Sequence, residues 1–219
     1  MSVVPFPSRP EPAALEFAVG ARVDLRVGAV AAGVVRPRSL TAEAFAFSVL
    51  ARTLRGARMS WRERGAHAPL TLALPGDLHP SFDAALLSEA AMEAGCTRQK
   101  LSFELSEAAL TAHGQALAEE LRARGWSLSL RSDPSFPMPL CAKARALYAE
   151  VVLEAPETPD PFLAVEETDA SSLGRRVLAA RAAGMTVTAA SVQTAAQARM
   201  LAIAGFDRGG GPFAEGHLR

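Results

Sequence analysis

The sequence offers a partner no charge of one sign. Its 23 basic and 23 acidic side chains cancel over 219 residues, so no strong field draws it to nucleic acid or to an anionic membrane. Cysteine is scarce: Cys96 and Cys141 are too few and too far apart for a disulfide framework or a CxxC metal site, and read as reduced, packed hydrophobes. No apolar run reaches the ~18 residues of a membrane span. The opening MSVVPFPSRPEP lacks the basic region and apolar stretch of a secretory leader. A soluble, cytoplasmic protein is expected. The four histidines stand in no HxH or HxxxH spacing, and no Ser sits in GxSxG, so metal ligation by imidazole and nucleophilic hydrolysis both lack support.

What is present is a hydrophobic fraction of 49%, enough for a sizeable core. Residues 1–13 hold Pro5, Pro7, Pro10 and Pro12 and read as an extended, mobile arm, leaving residues 14–219 as one α/β domain. Residues 15–35 alternate loosely about a turn near Arg26–Gly28, which predicts a hairpin. Thr41 is placed to cap a helix carrying Phe45, Val49, Leu50 and Leu54, and residues 61–69 are polar. LTLAL follows as a strand that Pro75 and Gly76 end.

A unit then recurs. A helix over residues 80–94, with Phe82, Leu86 and Ala90 on one face, stops at Gly95 before a strand over 100–105. A helix ending at Arg124 stops at Gly125 before a strand over 126–130. A third, over 169–183, stops at Gly184 before a strand over 185–189. A fourth starts at Thr194, with Gln197 set for a capping box, and stops at Gly205. Repeated α/β units predict a mainly parallel sheet, which periodicity alone does not assign to a barrel or an open sheet. Gly209–Gly211 reads as a flexible chain end, since a phosphate-cradling glycine loop requires a following helix.

Three stretches carry a resemblance. Phe103-Glu104-Leu105-Ser106-Glu107-Ala108 is similar to E-L-T-E-S. LRARGWSLSLRSD (residues 121–133) is similar to L-R-x-x-G-(x)-L-A-L-D-D-F. Residues 180–207 are similar to a stretch containing V-x-A-E-G-V-E-T and ending G-x-D. In this order and spacing they resemble the EAL domain of bacterial cyclic di-GMP signalling, over about residues 15–216. The resemblance implies an α/β fold, the EAL-type (β/α)8 TIM-like barrel, shortened or incomplete at its C-terminus because the chain stops soon after Gly205.

The family's activity, as the resemblance implies, is metal-dependent phosphodiester hydrolysis, in which divalent cations held by carboxylate and amide oxygens activate a water. Most of those oxygens have no counterpart here. GVVR (residues 33–36) resembles the signature Glu-Ala-Leu and its following Arg in two registers. In one, Ala32 replaces the Glu and Arg36 matches the phosphate-contacting Arg; in the other, Val34 and Arg38 take those places. The metal-binding Asn aligns with Ala73, the paired aspartates with Arg131 and Ser132, the Lys of K-I-D with Val152 and its Asp with Glu154. The acids of E-G-V-E align with Ala190 and Gln193. Only Glu104 survives as an oxygen ligand, and Arg131 is its expected partner. Gly20 stands at the Gln of Y-Q-P, and DPSFPMP replaces D-F-G-T-G, the loop that links metal binding to dimer contacts in active members.

The sequence therefore predicts a degenerate, non-catalytic EAL-like protein, with no metal and no cofactor, that regulates by binding a protein partner. Motility, adhesion or transcription control are the processes the resemblance implies. Phe136 and Met138 in the Pro-rich segment 132–139 are the candidate partner-binding residues. The alternative is a metal-independent cyclic di-GMP receptor using Arg36 or Arg38, Glu104 and Arg131; an aromatic content of 6% leaves it few stacking platforms. A weakly active phosphodiesterase is the third reading.

Overall fold

The chain's structure, a computed structural model, describes residues 16–37, 47–76, 82–107, 112–132, 146–154 and 173–218. Strand β1 (Phe17–Asp24) and strand β2 (Val30–Pro37) form the expected hairpin, antiparallel with Gly20 opposite Val34. Asp24 makes the turn, its Oδ1 accepting from the Arg26 and Val27 amides at 2.8 and 3.1 Å. Strands β3 (Leu70–Ala73), β4 (Leu101–Ser106), β5 (Ser127–Arg131), β6 (Glu150–Glu154), β7 (Thr186–Ala190) and β8 (Arg208–Gly210) continue from β2, each parallel to the one before. β8 returns to pair antiparallel with β1, so the eight strands close a barrel whose first strand alone runs against the rest.

The described helices are α1 (Phe47–Glu63), α2 (Ala84–Glu93), α3 (Ala112–Ala123), α4 (Leu173–Ala182), α5 (Ala195–Ile203) and the single turn α6 (Pro212–Glu215). The barrel is thus complete in strands and shortened in its last helix. Gly95, Gly125, Gly184 and Gly205 all follow helices with positive φ, at the four predicted stops. The strands explain the layering by their period of two. In β4, Leu101, Phe103 and Leu105 are 0–1% exposed and belong to the apolar core, whereas Ser102, Glu104 and Ser106 line cavities within and at the ends of the barrel. Phe103 meets Trp126 edge to face with centroids 5.3 Å apart, and Trp126 Nε1 donates to Ser88 Oγ of α2 at 2.8 Å.

Several boundaries differ from the sequence reading. α1 runs on to Glu63, because Trp61 on its last turn is buried. α2 begins at Ala84, capped by Asp83, whose Oδ1 accepts from the Leu86 amide at 2.7 Å; Leu87, Ala90 and Ala91 face the core from the helix, Phe82 is buried ahead of it, and Leu86 is only partly buried. Gln197 takes its amide bond from Gln193 N at 2.7 Å, one residue ahead of the Thr194 cap. Gly209–Gly211 is not a loose end: Gly209 and Gly210 lie in β8, and Gly211 precedes α6. Residues 1–13, Arg38, Thr41, Phe45, residues 80 and 81, Phe136, Met138, Cys141 and residues 169–172 lie outside the described residues. No helix among the described residues is long and apolar enough to cross a membrane.

Candidate functional site at the barrel mouth

The C-terminal ends of the parallel strands, where β/α barrels place their chemistry, converge with the antiparallel β1. Two small cavities of about 200 and 130 Å³ open there. Arg36, Ala73, Glu104, Ser106 and Arg131 line the first. Arg22, Val34, Arg36, Arg131, Val152 and Ala190 contribute to the second. The fold therefore gathers most of the residues that the sequence aligned with ligand positions. It separates others. Ala32 lines a cavity at the opposite, N-terminal end, so Val34 is the signature-position residue that faces the mouth. Ser132, the residue after Arg131, turns to the other side: it donates to Glu107 Oε2 at 3.0 Å and contacts Arg176, which also lies 3.6 Å from Glu107.

The strongest feature is one the sequence reading missed. Arg22, 2% exposed in the middle of β1, donates to Glu104 Oε2 and, at 3.1 Å, to Glu150 Oε2. Glu150 is shared further with the Thr188 hydroxyl and with Arg208, 3.7 Å from its Oε1. Burial lowers the pKa of Arg22, but the charges of Glu150 and Glu104 outweigh it, and the net shift is upward. The expected pairing of Glu104 with Arg131 is only the outer contact, at 4.0 Å; the nearer acid for Arg131 is Glu154, at 2.6 Å. The signal for Arg22 was an arginine between Ala21 and Val23 in a strand buried on both faces, where a charge requires a partner.

Each of these acids thus has a base, and Glu215 has Arg64, at 3.3 Å. Arg36 is left over: among the described residues it has no hydrogen bond or ion pair. Desolvation holds its pKa below the ordinary arginine value; Arg131 and Arg22 add to the lowering, while Glu104 and Glu154 oppose it. It stays protonated at neutral pH. The mouth can therefore hold an anion against Arg36 and Arg131.

It fits divalent metal poorly. A hard cation needs about six oxygen ligands. Here Ala73, Val34, Val152 and Ala190 supply no side-chain donors, Arg131 supplies a positive charge, and both Glu104 oxygens face guanidinium groups. No group of three His, Cys, Asp or Glu suited to a metal occurs among the described residues.

Just above β7, Ser191 has a positive φ of 57° at the place of the Gly in E-G-V-E. Ser191→Gly is expected to stabilise the fold by about 0.5–1 kcal/mol, since glycine adopts this conformation without the side-chain clash. Thermal denaturation checks the sign.

No family model matches the sequence, and no curated protein does. Solved structures do. The PaMucR phosphodiesterase in complex with c-di-GMP superposes with a TM-score of 0.63 at 18% identity, over 92% of this chain and 95% of that one. The EAL domain of Mycobacterium smegmatis DcpA gives 0.63 at 18%, over 92% and 90%. Klebsiella pneumoniae BlrP1, with calcium and cy-diGMP, gives 0.66 at 19%, over 97% of this chain but only 57% of BlrP1. At such identities the likeness is one of fold. The chain has the EAL-type (β/α)8 barrel fold.

Proposed function

We propose that the chain is a non-catalytic regulatory protein of EAL fold, acting in the bacterial cytoplasm by binding a protein partner. The observation that carries this reading is the Arg22–Glu104 pair: the carboxylate that would anchor a metal is neutralised by a buried guanidinium. An arginine there occupies the carboxylate permanently, whereas a metal site must leave it to the cation. Phe136 and Met138, which follow β5 in sequence, are the proposed partner contacts, with motility, adhesion or transcription control as the regulated process. Incubation with cyclic di-GMP and Mg2+ or Mn2+ is expected to yield no linear dinucleotide above background. Metal-dependent hydrolysis that disappears in Glu104→Ala sinks the proposal.

A second reading, a metal-independent cyclic di-GMP receptor, is favoured by Arg36 beside Arg131, unpaired among the described residues. Calorimetric titration in EDTA separates the two. Micromolar binding that weakens about tenfold in Arg36→Ala, the loss of one charge-assisted hydrogen bond, makes the protein a receptor. No heat of binding leaves the protein partner, which is then sought by comparing capture on the native chain with capture on Phe136→Ser/Met138→Ser.

A further inference from the structure

The roomiest cavity among those described, about 360 Å³, is not at the mouth. It opens at the N-terminal end of the barrel, between the last turns of α1 and the turn from α2 into β4. Its lining is of one sign. Arg58 and Arg62 come from α1, His67 from the turn before β3, and Lys100 from the turn before β4, while no Asp or Glu among the described residues lines it. Among the described residues, the side chains of Arg62, His67 and Lys100 make no hydrogen bond or ion pair. Arg58 donates to the Gly95 carbonyl, but its Nε is buried without a partner. The floor is apolar: Trp61 is 2% exposed, with its Nε1–H donated to the Ala68 carbonyl at 3.0 Å, and Cys96 is 6% exposed.

Cations gather at helix C-termini for a structural reason, the partial negative charge of the last carbonyls. That accounts for Arg62 in the last turn of α1 and for Arg58 on the carbonyl that follows α2. It does not account for Lys100 and His67, which two other segments bring to the same cavity. In a chain of zero net charge, this concentration of donors unpaired among the described residues favours an anion.

We propose that this cavity is a binding site for a phosphate or pyrophosphate group carried by a compact small molecule. Arg62 and Lys100 hold the phosphate oxygens, and the organic part rests on the Trp61–Cys96 floor. The volume exceeds that of a bare phosphate and lies in the range of about 300–1,000 Å³ used by small-molecule sites. The site is remote in sequence and place from Arg36, and stands or falls independently of what the mouth binds.

Calorimetry on the full chain, with inorganic phosphate and pyrophosphate as probes and chloride at matched ionic strength as control, tests it. Saturable binding of pyrophosphate is expected, weakened about tenfold by Arg62→Ala or by Lys100→Ala and unchanged by Arg36→Ala. The same probe is expected to slow alkylation of Cys96. Arg62 and Lys100 are exposed, so both variants keep the fold, as their melting curves will show. No saturable heat from either probe, or heat undiminished in the double variant Arg62→Ala/Lys100→Ala, overturns the assignment.

Discussion

Arg22→Met is expected to destabilise the protein by about 4 kcal/mol, because removing one member of a buried ion pair leaves its partner charged and unsolvated. At this chain length that corresponds to a fall of roughly 10 °C in melting temperature. Two acids lose a partner at once. Arg22 serves Glu104, itself 2% exposed, and Glu150, 7% exposed, and among the described residues no other base approaches Glu104 closer than Arg131 at 4.0 Å. Glu150 retains Thr188 and Arg208, so the larger share of the loss comes from Glu104. Adding Glu104→Gln to Arg22→Met should therefore recover part of the stability, since a neutral amide is cheaper to bury than an unpaired carboxylate. Thermal melts of the two single variants and the double variant form the cycle that reads this coupling. Additive losses would mean that the pair contributes little and that Arg22 matters for its packing alone.

Gly211→Ala is expected to cost about 3 kcal/mol, the sum of backbone strain and overpacking that neither neighbour can relieve. Gly211 has φ 95° and ψ −165°, a region that side-chain-bearing residues scarcely enter. A Cβ there would stand 2.9 Å from Ser191 Cα and from Val192 N. Those atoms are backbone, and Val192 N is held to the Gly210 carbonyl at 2.7 Å where β7 meets β8. The nearest neighbours of the added carbon therefore include no flexible side chain that could yield. Gly184→Ala is the control: its φ is 73°, but no atom lies within 4 Å of the added carbon. Only the left-handed conformation is penalised there, at about 1 kcal/mol. Equal melting temperatures for the two variants would show that the seam opens to accept the methyl group.

The elements were legible wherever local chemistry sets them. LTLAL between Pro69 and Pro75 is a strand because prolines bound a short apolar run, and Gly95, Gly125, Gly184 and Gly205 stop helices because they close the last turn. Asp83 was missed as a cap since the apolar pattern runs back to Phe82, which in fact packs against the core from outside the helix. The short α6 was missed because one turn of four residues has no period to detect.

The site divides the same way. The resemblance aligned Ala73, Glu104, Arg131 and Ala190 with ligand positions on four different strands, and the fold brings them to the same end of the barrel. Arg22 had no such local signal, for its partners lie 82 and 128 residues away and only closure of the sheet brings them within reach. Ser132 was assigned to the mouth by alignment, yet the period of two turns it to Glu107 and Arg176 on the far side. The sequence by itself determined the α/β pattern and the helix stops, because these depend on residue type and near neighbours. Only the tertiary structure decided which base neutralises Glu104, that Val34 and not Ala32 faces the mouth, and where the unpaired cations gather, because those are properties of a closed barrel that sets distant segments side by side.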